Sequence, residues 1–306
     1  SMAIGANSMA IGINALAIGL GAQANGNNAF AMGVNAIADG DESFVIGDGS
    51  QVVAGSRDAF VTGDDASATG NDSSAFGYKS VAIGSNAYAT GTMSRSLGAN
   101  AHAIGTEAYA TRPNTLAYGT FATARSDNSL AIGTKSIAGK ESQAAVAIGE
   151  ESFAKQNNAL AIGTQSIANG QNSYASGSGS IAKGSNTIAI GSGAIAASES
   201  EIIFIGLLSS NNYDPNASGA IRRKQIDANY SDGKNLIAIG AGAKAIGTKA
   251  TSLGSKSLAS GKAAIAMGSL SLSTSANSIA LGSAAAALHK DAIAVGTASI
   301  ATGKNS

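Results

Sequence analysis

Asn158-Ala159-Leu160-Ala161-Ile162-Gly163, then Ser166-Ile167-Ala168-Asn169-Gly170, is the stretch on which the reading of this chain turns. Each half alternates small and larger residues and stops at Gly. Alternation of this kind, closed by Gly, Ser or Asn, is the pattern of a short strand followed by a tight turn. A helix is a poor competitor, because a Gly every seven residues costs about 1 kcal/mol each. A coiled coil fails because the apolar residues sit two apart rather than at a and d spacing.

The same tetrapeptide recurs along the 306 residues. With its Gly as anchor, it stands at Gly5, Gly12, Gly19, Gly33, Gly47 and Gly63 and continues with small variations to Gly296. Of 22 anchor intervals, twelve are 14 residues and six are 7, with two of 16, one of 15 and one of 34. Self-similarity at a fixed period is the signature of a solenoid. The expected fold is all-β: a parallel β-roll of about nineteen 14-residue coils, two short strands per coil, with one insert.

Composition agrees. The chain holds 64 Ala, 42 Ser and 40 Gly, so nearly half of it is small. Only 14 residues are aromatic, and there is no Trp and no Cys, too little to fill an ordinary core of this size. Disulfide frameworks and Cys-based zinc sites are excluded. So is collagen, with only two Pro and far too little Gly. With 19 basic and 19 acidic residues the net charge is zero, which gives no overall footprint for nucleic acid. No apolar run reaches the roughly 18 residues of a membrane span, so no direct membrane insertion is expected. The pattern is already under way at Ser1-Met2-Ala3-Ile4-Gly5, which reads as a piece of something longer.

Successive strand side chains point to opposite sides. Two and four positions before each anchor the residues are small: Ala15 and Ala17, Ala159 and Ala161, Ser278 and Ala280. One and three positions before it they are large: Leu16 and Ile18, Phe30 and Met32, Phe44 and Ile46, Leu130 and Ile132. The pairs Leu160 and Ile162, Ile188 and Ile190, and Ile279 and Leu281 follow the same rule. Two strands per coil leave a thin interior, so the small residues face in and the large pairs face out. The opposite strand ends in polar residues: Asn25, Asp39, Thr111, Arg125, Lys155, Asn169 and Lys183. A long outward apolar ladder exceeds what a soluble monomer exposes, so other copies of the chain must cover it. Three copies suit a narrow roll with one apolar face, although alternation by itself does not fix the number.

Asn7-Ser8-Met9-Ala10-Ile11-Gly12, Asn128-Ser129-Leu130-Ala131-Ile132-Gly133 and Asn277-Ser278-Ile279-Ala280-Leu281-Gly282 resemble the Asn-Ser-Val-Ala-Ile-Gly motif of YadA-like heads of trimeric autotransporter adhesins. The resemblance covers residues 1–206 and 236–306. It implies a left-handed, homotrimeric parallel β-roll, displayed on a Gram-negative cell surface by an outer-membrane anchor beyond this chain. It implies adhesion to collagen, fibronectin or laminin, or to abiotic surfaces, with no catalysis and no cofactor.

Three departures stand out. Between Gly77 and Gly105 the strong and weak halves trade places, as in Val81-Ala82-Ile83-Gly84 against Tyr88-Ala89-Thr90-Gly91. Extra residues predict bulges near Gly49 to Ser56 and Gly139 to Gln143. Residues 207–235 read as an insert between two roll segments, 1–206 and 236–306, projecting as a hairpin or loop. Expected ligand contacts are the polar residues of the weaker strand, together with Tyr213, Arg222 and Arg223 of the insert.

Chemistry finds little support. His102 and His289 are the only histidines and lie too far apart along a solenoid to share a site, though His102 takes an outward position. Asp39, Asp41, Glu42 and Asp48 lack the ligand order of a calcium loop and read as a solvated face. No metal site is expected. Arg222-Arg223-Lys224 reads as a salt-bridged subunit contact. β-Helix acyltransferases repeat every six residues in threes, unlike this chain, and an ice-binding face needs a Thr ladder on one flat side. A trimeric phage fibre or spike shaft is the competing reading, and flanking sequence distinguishes it.

Overall fold

The computed structural model describes residues 1–139, 143–196, 202–205 and 236–306. Among these residues every strand is short. Twenty strands of three or four residues form one sheet set, called here the wide face. Two-residue strands, in groups of 14 and 5, form the narrow face. Pairing is parallel and one coil apart: Leu160, Ala161 and Ile162 lie beside Tyr174, Ala175 and Ser176. On the narrow face Ile167 and Ala168 lie beside Ile181 and Ala182. The repeat is therefore the coil, and the expected β-solenoid is what forms, with strands shorter than the alternation suggested.

The chain divides into two compact units, Ser1–Ser152 and Phe153–Ser306. In the first, Ala17, Ala31, Ala75 and Ala89 are fully buried, and in the second so are Ala161, Ala189, Ala266 and Ala280. The largest fully buried side chains are only Val45, Val52 and Val61. Those three flank the coil that carries two extra residues, where Val45 pairs with Val61. The interior is thin because only two short strands enclose it, and Ala fills it to contact.

Many inward Ser and Thr satisfy their hydroxyls locally, although Ser80, Ser152, Ser166 and Ser180 are buried without a partner. Ser73 donates to the Gly70 carbonyl at 2.6 Å, Ser173 to Gly170 at 2.6 Å and Thr187 to Gly184 at 2.7 Å. A buried hydroxyl without a partner costs about 1–3 kcal/mol, so this bond inside its own turn lets Ser replace Ala.

The turns need the left-handed region. Asn158 (φ 54°) and Asn172 (φ 52°) adopt it, as Asn tolerates better than other side chains. Gly163 has φ 124°, and a Cβ there lies 2.7 Å from the Gly177 carbonyl. Gly163→Ala is expected to cost at least about 2 kcal/mol from backbone strain, more with the clash. Urea unfolding against wild type measures it, and an unchanged midpoint refutes it.

The departures resolve differently. Between Gly77 and Gly105 the two strand sets do not exchange. Ser74–Phe76, Tyr88–Thr90 and His102–Ile104 remain consecutive wide strands, and Val81–Ala82 and Arg95–Ser96 remain narrow ones. Register explains this: a half-coil slip would unpair the stretch from Phe60–Thr62 before it and Leu116–Tyr118 after it. The first bulge falls where expected, with Gln51 paired to Ile37 fourteen residues back and to Ser67 sixteen ahead. Leu130 pairs with Val146, so the second coil also carries its extra residues, of which 140–142 lie outside the described set. Ile202 pairs directly with Leu236, and Ile205 with Ile239. The expected insert, 207–235, lies outside the described residues, as does residue 206.

Candidate interaction surfaces

The wide face carries the large residues outward. Leu16, Ile18, Phe30, Phe44, Ile46, Leu130 and Ile132 are half-buried in the first unit, and Met32 is 37% exposed. Leu160, Ile162, Ile188, Ile190, Ile279 and Leu281 are half-buried in the second. The parallel register stacks each pair on the next coil, so the columns have no polar break where Leu or Ile continues.

In the first unit this column becomes an aromatic stack. The Phe30, Phe44 and Phe60 rings follow at 4.7 Å intervals with interplanar angles near 10°. Ser74 then interrupts the column, and Phe76 bridges diagonally at 5.2 Å before Tyr88 and His102 continue at 5.6 and 5.8 Å. Ring faces are spent on one another and only edges point out. Such a surface packs against another apolar face and offers no open ring for sugar stacking. His102 is exposed at the end of this stack, in the outward position expected of it.

The narrow face is less polar than its sequence suggested. Asn25, Asp39, Thr111 and Arg125 do share one column in the first unit, and Asn25 donates to Asp39 at 2.6 Å. Between them, however, the column holds Val53, Ile83 and Leu97, with Ile83 44% exposed. Lys155, Asn169 and Lys183 take the same column in the second unit. Beside it runs a further column absent from the sequence reading: Phe153, Ile167, Ile181 and Ile195. The signal was legible in Ser166-Ile167-Ala168 and Ser180-Ile181-Ala182, where a single large residue precedes the polar one.

Turn edges carry polar ladders. Asn86, Asn100, Asn114 and Asn128 pass amide hydrogen bonds of 3.1 Å from coil to coil. Asp41 accepts from the Asn27 backbone N–H at 2.8 Å and Asp48 from that of Val34 at 2.7 Å. These carboxylates serve turns rather than a cation, and among the described residues no trio of His, Asp and Glu is placed to hold a metal ion. Lys79 lies over the Tyr78 ring at 4.9 Å, and its hydrogen bond to Tyr78 holds the ammonium above its ordinary pKa. No described helix is long and apolar enough to cross a membrane. Tyr213, Arg222 and Arg223 lie outside the described residues.

With this geometry in place, known proteins supply a context. A family model of the YadA head domain repeat matches residues 1–22, 10–35, 24–50, 62–87, 77–101, 96–122, 113–136, 141–166, 168–194, 232–257, 259–285 and 290–306. No curated protein sequence matches. A crystal structure of the collagen-binding domain of the Yersinia adhesin YadA is similar at 21% identity over 72% of this chain and 86% of that one, with a TM-score of 0.19. That superposition is too weak to carry an argument, and the repeat matches alone decide the family.

Proposed function

The chain belongs to the YadA head repeat family, and we propose that it is the non-catalytic head of a trimeric surface adhesin that attaches bacteria to host extracellular matrix. The observation that carries the proposal is the wide-face ladder, whose Leu, Ile and Phe pairs stay half-exposed in a single chain. Three copies cover it. A closed ring uses two different patches on each subunit, one meeting the other on the neighbour. The wide-face pairs and the narrow-face residues Phe153, Ile167 and Ile181 supply two such patches in the second unit, while Ile195 at the end of that column is already buried in one chain. An isologous dimer through the wide face leaves the second column bare.

Adhesion follows from repetition. Many weak contacts presented on one stiff assembly multiply in avidity without any strong single site. The proposed contacts are Asn25, Asp39, Thr111, Arg125, Lys155, Asn169 and Lys183, with Tyr213, Arg222 and Arg223 of the insert. The proposed segments are a first roll at 1–206, an insert at 207–235 and a second roll at 236–306. The direct pairing of Ile202–Ile205 with Leu236–Ile239 supports that division. Display at the cell surface, through an outer-membrane anchor beyond this chain, belongs to the same reading.

Immobilised collagen, fibronectin and laminin, beside bare plastic and glass, test the ligand. Saturable binding to a matrix protein that exceeds binding to bare surfaces is expected. Equal retention on every surface overturns matrix specificity.

A further inference from the structure

Net neutrality hides a separation of charge along one turn edge, the one that follows each narrow strand. In the last five coils of the second unit this edge is built from Thr248-Lys249, Lys262-Ala263, Ala276-Asn277, Lys290-Asp291 and Lys304-Asn305, whereas its earlier turns, Asn157-Asn158, Gln171-Asn172 and Ser185-Asn186, are uncharged. Backbone bonds stack these turns directly: Ala263 N–H to Thr248, Asn277 to Lys262, Asp291 to Ala276 and Asn305 to Lys290, at 2.8 to 3.2 Å. Lys249, Lys262, Lys290 and Lys304 are all exposed. No Asp or Glu occurs from residue 236 to residue 290. The one acid on the edge, Asp291, is engaged by the Asn277 amide at 2.9 Å and by Lys290 at 3.8 Å. The same edge in the first unit is acidic on balance, with Asp41, Glu42, Asp58, Asp72 and Asp127 against Arg57 and Arg112.

We propose that this basic edge is a docking stripe for a linear sulfated polysaccharide. Four coil steps of about 4.8 Å set the lysines along roughly 19 Å, a line rather than a pocket, which suits an extended polyanion. Lysine ammoniums act as point charges and accept sulfates in many orientations. The five turns hold no Phe, Tyr or Trp and no arginine fork for phosphate, and the one ring among them on which a nucleic-acid base could stack is His289, so no line of stacking partners accompanies the charge. They hold no large apolar side chain to enter a bilayer. The stripe shares no residue with the wide-face pairs.

Heparin is the probe, titrated into the full chain at about 0.15 M salt. Saturable binding that weakens as salt rises is expected. The combined variant Lys249→Gln, Lys262→Gln, Lys290→Gln, Lys304→Gln should lose at least about tenfold in affinity, several exposed ion pairs acting together. A control that removes the same charge away from this edge, Lys79→Gln, Arg95→Gln, Lys135→Gln, Lys256→Gln, should stay within about twofold. Unchanged melting of both variants confirms that only the surface was altered. The proposal falls if heparin does not bind, or if both variants lose affinity equally. It also falls if duplex DNA or phosphatidylglycerol vesicles bind more tightly than heparin, or if the edge serves only self-association that heparin does not displace.

Discussion

Replacing Ile162 and Ile190 together by Asp is expected to convert the proposed trimer into folded monomer. Both side chains point out of the roll and are only half-buried in one chain, so a monomer tolerates the carboxylates. Between subunits each half-buried Ile contributes up to about half of the roughly 1.5–3 kcal/mol of full burial, and an unpaired buried charge costs several kcal/mol more. Sedimentation velocity should show monomer, with β-structure retained by circular dichroism. Ile167→Asp with Ile181→Asp should act in the same direction if the narrow face is the counter-surface, whereas Asn169→Asp beside them should not. A trimer that survives Ile162→Asp and Ile190→Asp sinks the assignment of the wide face.

The second large effect lies inside the roll. Ala161 is fully buried and pairs with Ala175 across one coil step, with no slack to admit more atoms. Ala161→Leu should destabilise by more than about 3 kcal/mol, since overpacking here cannot be relieved by a softer neighbour. Ala161→Ser is expected to be nearly neutral. At the equivalent position Ser252 is buried and shares a 2.6 Å hydrogen bond with Ser257, five residues on. The corresponding hydroxyl of Ser166 is buried without a partner, so a serine at 161 would supply one. Urea unfolding of the two variants tests this: equal losses would mean that polarity, not volume, limits the interior.

Much of this was legible in order of residues. Leu160-Ala161-Ile162-Gly163 declares a strand, its inward Ala and its closing turn, because strand alternation has a period of two and Gly alone accepts that φ cheaply. The local pattern misled between Gly77 and Gly105. There Val81 and Ile83 look like the stronger half, yet they lie on the narrow face, since pairing with the coils on either side fixes register whatever the hydrophobicity of one strand. It also understated the narrow face, where Ile167 and Ile181 look isolated in sequence but form a column once coils stack.

By itself the sequence determined the period, the short strands, the thin Ala interior and the outward wide-face pairs, all of them consequences of chain geometry within one coil. Only the tertiary structure decided what lies above what. Parallel stacking turned scattered phenylalanines into a ring stack, single isoleucines into a second apolar column, and lysines 13, 28 and 14 residues apart into one basic edge. The reason is that a coil places its neighbours by hydrogen-bond register, and register is a property of adjacent coils together rather than of any one of them.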